Sequence, residues 1–99
     1  MKVLAILRPP DGADVHTAIA AHAAQEMGAL WRLYRADAVR EMYSPGHPGA
    51  ILILEADSLA AARSTLAQLP LLTHNVMTLE LIELHPFAAL QTLFGRSQP

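Results

Sequence analysis

His22 and Glu26 lie four residues apart in an alanine-rich stretch, which on a helix sets an imidazole and a carboxylate side by side, one turn apart. Burial raises a carboxyl pKa and a neighbouring imidazolium lowers it. Such an opposed pair can hold one group near neutrality, poised to take up or return a proton. The chemistry this points to is general acid–base catalysis. A purely structural alternative gives both side chains a polar network at the edge of the core. The pair could also share a metal ion with His74 or His85, but no His-x-x-x-His or comparably specific spacing occurs, and no metal is expected. Without cysteine there is no thiolate nucleophile, and there is neither a Gly-rich phosphate loop nor a Gly-x-Ser-x-Gly elbow. Proton transfer without a cofactor is the chemistry left.

The elements that must position this pair follow from periodicity. Val3 to Leu7 is an unbroken apolar run ended by Pro9-Pro10-Asp11-Gly12, which suits a strand buried on both faces. Asp11 or Asp14 then caps a helix running to about Arg35. At 100° per residue its apolar positions Val15, Ile19, Leu30 and Leu33 fall within an arc of about 60°, with Glu26 inside that arc and His22 at its edge, about 20° beyond it. Gly28, costing about 1 kcal/mol relative to alanine, marks close packing or a break. Asp37 to Tyr43 reads as a second strand, Ser44 to Gly49 as a hairpin loop and Ala50 to Leu54 as a third strand. Asp57 or Ser58 caps a second helix with a stripe of Leu59, Ala62, Leu66 and Leu69, closed by Pro70. Val76 to Leu84 makes the last strand. Phe87 to Phe94 has apolar residues at helical spacing and is expected to dock as a short helix within a tail spanning residues 86–99.

The order β-α-β-β-α-β predicts one α+β domain over residues 1–99, a ferredoxin-like four-stranded antiparallel sheet with both helices on one face. The face without helices would carry Leu4, Ile6, Ile51 and Ile53. An apolar sheet face in water is an aggregation liability, so a second copy packed sheet to sheet is expected, as a homodimer or a higher homo-oligomer. The helix-covered face is then the place for a pocket.

Composition agrees. Hydrophobic residues make up 53% of the chain and charged ones 16%, against roughly 25% charged in an ordinary globular domain, so polar surface to cover a core is scarce. The net charge of −2 and the absence of a basic run argue against nucleic acid as a partner. The five-residue apolar run near the start falls far short of a membrane span or a signal-peptide core, so the reading is a cytoplasmic protein with no membrane partner.

Other polar residues carry weaker signals. Arg40 and Tyr43 on the second strand could hold a carboxylate or carbonyl of a small-molecule substrate, but alternation points them to opposite faces. His74, with Asn75, stands at the start of the last strand where a pocket mouth could open, and His85 stands at its far end. Trp31 falls away from the apolar arc and reads as an oligomer contact. His47 reads as a solvated loop residue.

At this point the chain resembles a family. Ser58-Leu59-x-Ala61 through Thr65-Leu66-x-Gln68-Leu69-Pro70-Leu71 is similar to the second helix of the muconolactone isomerases and its exit. The thirteen residues Leu72 to Leu84 before His85-Pro86 match the spacing of that family's last strand, and Arg40 falls at an equivalent place in the second strand. The resemblance covers roughly residues 22–86 and is strongest from Ser58 onward. It departs in the loop Ser44 to Gly49 and in the tail after Pro86. It implies a dimeric α/β barrel with a cofactor-free pocket between sheet and helices, in which the family moves a proton across an unsaturated lactone. Relatives of this architecture include cofactor-independent monooxygenases and polyketide-tailoring proteins. The leading expectation is a cofactor-free isomerase or related proton-transfer enzyme acting on a small unsaturated lactone or aromatic-pathway intermediate. Glu26 and His22 would be catalytic, and Arg40, Tyr43 and His74 would bind substrate. The alternatives are an oxygenase of the same fold and a non-catalytic ligand-binding or assembly module. A pocket of at least ~300 Å³ lined by His22 and Glu26 favours the enzyme, and a filled core favours the module.

Overall fold

A computed structural model describes residues 1–94. The apolar run at the start forms strand β1 (Lys2–Arg8), which pairs antiparallel with β3 (Ala50–Glu55) on one side and β4 (Thr78–Leu84) on the other. Strand β2 (Val39–Tyr43) joins β3 at the edge, so the four-stranded antiparallel sheet runs β2-β3-β1-β4. Helix α1 (His16–Arg35) connects β1 to β2, and α2 (Leu59–Leu66) with the single turn α3 (Pro70–Thr73) connects β3 to β4. This is the expected α+β, ferredoxin-like order.

Cross-strand register sorts the two faces. Val3, Ala5 and Leu7 lie opposite Leu54, Leu52 and Ala50 on β3. With Val39 and with Leu30, Leu33, Ala62, Leu66 and Leu69 from the connections, they make the core. Burying each leucine or valine there contributes about 1.5–3 kcal/mol. The other face carries Leu4, Ile6, Ile51 and Ile53 half-buried and Ile82 exposed, with no helix over it.

Local chemistry sets the ends of the elements and corrects several boundaries. The Asp14 carboxylate accepts the His16 N–H (3.2 Å), so the first helix starts two residues later than Asp14. It runs unbroken through Gly28, where an added Cβ would meet only the flexible end of Arg32 at 3.6 Å; neither close packing nor a break explains that glycine. The helix ends with Asp37 at φ 62°, a conformation aspartate tolerates better than most residues. There the Asp37 and Ala38 N–H groups close back onto the Tyr34 and Leu33 carbonyls. Asn75, at φ 57°, repeats this closure after α3 with Leu72 and Leu71, so it turns the chain into β4.

Ser58 rather than Asp57 caps α2, accepting the Ala61 N–H at 3.0 Å. The predicted stripe continues past the end of α2 because Pro70, instead of simply stopping a helix, occupies the first turn of α3, where its missing N–H costs nothing. Leu69 is fully buried between the two pieces. Residues Ala88–Phe94 form a 3-10 helix in which no residue is buried, so the expected docking of this tail does not occur within the protomer. The remainder of the predicted tail, residues 95–99, lies outside the described residues.

Candidate active site

Glu26 is 3% exposed and is the one buried charged residue among the described residues. The 3.6-residue period of α1 turns it inward beside Ala29, Leu30 and Leu33. Its Oε1 accepts the backbone N–H of Leu71 at 3.0 Å, a contact made possible because Pro70 starts α3 there and leaves its early N–H groups without helical partners. Burial pushes the Glu26 carboxyl above the ordinary range, the Leu71 hydrogen bond pulls it back, and the charge of His22 pulls it back further.

His22, half-buried, stacks its ring on His74 at the end of α3, with centroids 4.2 Å apart and planes 13° from parallel. It makes no ion pair with Glu26, so the two couple through space while the carboxylate's hydrogen bond goes to Leu71.

In front of Glu26 opens a cavity of about 300 Å³ between α1 and the sheet. Its apolar wall includes Leu7, Ile19, Leu30 and Met77, and its polar groups are Glu26, His16 and His47. The volume falls in the range of small-molecule sites. His22, however, is not on the cavity wall, so the cavity is lined by Glu26 without the expected partner. His47, expected to be solvated only, lines the cavity while remaining exposed, its Nδ1 3.3 Å from the Pro48 carbonyl oxygen. His16 went unnoticed; the available signal was its place three residues before Ile19, beside the inward stripe, though His16 itself stays exposed.

The second strand contributes nothing to this cavity in the protomer. Arg40 sits at an irregularity in the β2–β3 pairing and donates Nε to the Asp37 carbonyl at 2.7 Å. Tyr43 lies opposite Ile51 on the uncovered face, where its hydroxyl donates to Glu41; that bond and the Glu41 charge push the phenol pKa up. His85 pairs with Glu83 (3.1 Å) at the far end of the sheet, and Trp31 stacks on Tyr34 on the exposed side of α1. No group of three or more His, Cys, Asp or Glu among the described residues could hold a metal ion. No helix among them is long and apolar enough to cross a membrane.

A carboxyl pKa raised by folding fixes the sign of one stability effect. The protonated form is favoured in the folded state, so this contribution is full below about pH 4.5, the unfolded value. It is lost as pH rises through the higher folded value. Chemical denaturation across that window should show wild type losing stability relative to Glu26→Gln. A difference independent of pH would mean that the carboxyl is not perturbed.

These features define an α+β protomer with a cavity between sheet and helices and one buried carboxylate facing it. Among solved structures, muconolactone isomerase matches with a TM-score of 0.67 and 26% identity, over 88% of this chain and 93% of that one. A 5-chloro-2-hydroxyhydroquinone dehydrochlorinase from Burkholderia phenoliruptrix AC1100, in complex with 2,5-dihydroxybenzoquinone, also matches. Its TM-score is 0.67 at 16% identity, over 86% and 94% of the two chains, a likeness of fold. The chain is muconolactone isomerase-like, as its second helix and last strand suggested. No protein-family model and no curated protein sequence matches it.

Proposed function

We propose that this protein is a cofactor-free isomerase that moves a proton within a small unsaturated lactone. The supporting observation is Glu26, a buried carboxylate on the wall of a cavity large enough for such a substrate. Ionised Glu26 takes a proton from a carbon conjugated to the lactone carbonyl, and the electron pair left behind delocalises into that carbonyl as a dienolate. The carboxylic acid then returns the proton to the other end of the conjugated system, so the double bond shifts and no atom is gained or lost. His22 tunes the charge of Glu26 from outside the cavity wall, and His74 holds the His22 ring by stacking. His16 or His47 meets the carbonyl oxygen, the role first expected of Arg40 or His74, neither of which lines the cavity. A carboxyl raised toward neutrality is a better proton carrier at physiological pH than an ordinary one.

With muconolactone as probe, in D₂O and without added metal or cofactor, isomerisation is expected, and the product carries deuterium at the protonated carbon to the extent that the Glu26 carboxyl exchanges with solvent before it returns the proton. Absence of both isomerisation and exchange above buffer would refute the reading, and oxygen consumption would support the oxygenase instead.

The same proposal places two protomers face to face through Leu4, Ile6, Ile51, Ile53 and Ile82. Ile53→Lys puts an unpaired ammonium in that interface and should reduce the sedimentation mass to the 10.7 kDa of one chain. An unchanged mass would place the interface elsewhere.

A further inference from the structure

Phe87, Leu93 and Phe94 are 78%, 73% and 82% exposed, more than any other large hydrophobic side chain among the described residues, and Leu90 between them is 52% exposed. Together they leave on the order of 500 Å² of apolar surface in water, as much as the largest patch on a typical monomer. The segment from Phe87 to Phe94 carries no charge. It leaves the domain instead of folding onto it: the long dimension is 57 Å, and the radius of gyration of 16.4 Å exceeds the roughly 13 Å of a compact 100-residue domain.

The surface that suits this arm lies at the opposite end of the sheet. A groove of about 340 Å³ is lined by Ile6, Leu7, Arg8, Pro45, His47 and Ile51. Ile6 and Ile51 belong to the uncovered face, while Leu7 and His47 also line the candidate active site. The groove is therefore continuous with both the proposed interface and the cavity. The arm departs after Leu84, which pairs with Lys2 where β1 begins, whereas the groove lies where β1 ends. At most about 20 Å of strand separates these ends, and the 3-10 helix itself is only about 14 Å long. A two-fold axis that reverses strand direction between two facing sheets carries each arm to the other copy's groove, twice by symmetry.

We infer that residues 87–94 of one chain seat in the Ile6, Pro45 and Ile51 groove of a second copy and close the Leu7–His47 end of its cavity. Two exchanged arms contribute on the order of 1,000 Å² of apolar surface, a large share of the 1,200–2,000 Å² in a standard interface, and the sheet faces supply the rest. This inference rests on the sheet-to-sheet dimer proposed above.

The chain has no cysteine, so engineered thiols give an unambiguous test. Leu90→Cys protein mixed with Pro45→Cys protein and oxidised should yield a covalent dimer of about twice 10.7 kDa. Its yield should be several-fold above that from Leu90→Cys mixed with Ser64→Cys, a position exposed on α2. Ile6→Cys serves as a second groove position if Pro45→Cys perturbs the loop. Dimeric protein that cross-links no better than the control at both groove positions overturns the arm alone. Wild-type protein that sediments as a monomer overturns the dimer and the arm together.

Discussion

Glu26→Gln is expected to lower the rate of proton transfer by about 10²–10⁴-fold, the range that a positioned acid–base group supplies, while leaving the fold and the oligomer unchanged. The amide oxygen of glutamine can still accept the Leu71 N–H, so the contact joining α1 to α3 survives and only the capacity to exchange a proton is lost. The variant should also be more stable than wild type at neutral pH, because a carboxylate no longer has to stay ionised in the core; each 1 kcal/mol so recovered raises Tm by about 4–8 °C. Lower activity with higher Tm is a combination that a merely structural Glu26 does not produce. Glu26→Asp keeps the chemistry but withdraws the carboxylate by one methylene, and a displacement of that size should cost about 10²-fold. In wild type, the rate should rise with pH as Glu26 ionises, along a limb displaced above the ordinary carboxylate range. His22→Ala removes a nearby positive charge and should move that limb to still higher pH. Stopped-flow rates across pH, paired with thermal melts of the same variants, check each expectation. Full turnover by Glu26→Gln would remove Glu26 from the mechanism.

The parts of this molecule legible in its sequence are those governed by local periodicity. Alternation in β1 and β3 identified the covered and uncovered faces, and the helical stripe turned Glu26 toward the sheet; both patterns repeat within a few residues, so no knowledge of partners was needed. What escaped was set by long-range contacts. The hydrogen bond from Leu71 to Glu26 joins residues 45 positions apart, and the stacking of His74 on His22 depends on α3, a single turn too short to have a period of its own. His47 was read from its loop alone, yet the hairpin carries that loop back beside Leu7 and onto the cavity wall. Arg40 and Tyr43 were set on opposite faces by strict alternation, without deciding which face either takes, and alternation breaks down where the β2–β3 register shifts. The tail at residues 87–94 was given a helical pattern and expected to dock, but it forms a 3-10 helix with no buried residue, because a short run of apolar side chains carries no information on which surface will receive it.

Gly49→Ala should damage both the fold and the site, and by more than its surface position suggests. Gly49 lies between the hairpin loop and β3 at φ 138°, where a side chain is strained, and an added Cβ would stand 2.5 Å from the Leu7 carbonyl oxygen. That oxygen belongs to the backbone of β1, whose Leu7 pairs with Ala50 in the sheet, so relief requires the start of β3 to move away from β1. Strained backbone alone costs about 1–3 kcal/mol, and the displaced pairing adds to it. The expected loss is at least about 2 kcal/mol, or roughly 8–16 °C in Tm. Gly46, at φ 88° in the same loop, separates the two causes: a Cβ there meets nothing within 4 Å, so Gly46→Ala has the backbone strain without the collision. Thermal melts should therefore place Gly46→Ala between wild type and Gly49→Ala. Because Gly49 and Leu7 both line the cavity, Gly49→Ala should also lose turnover at temperatures where it remains folded, whereas Gly46→Ala should not. Equal Tm values for the two alanine variants would mean that the contact with Leu7 carries no energetic weight.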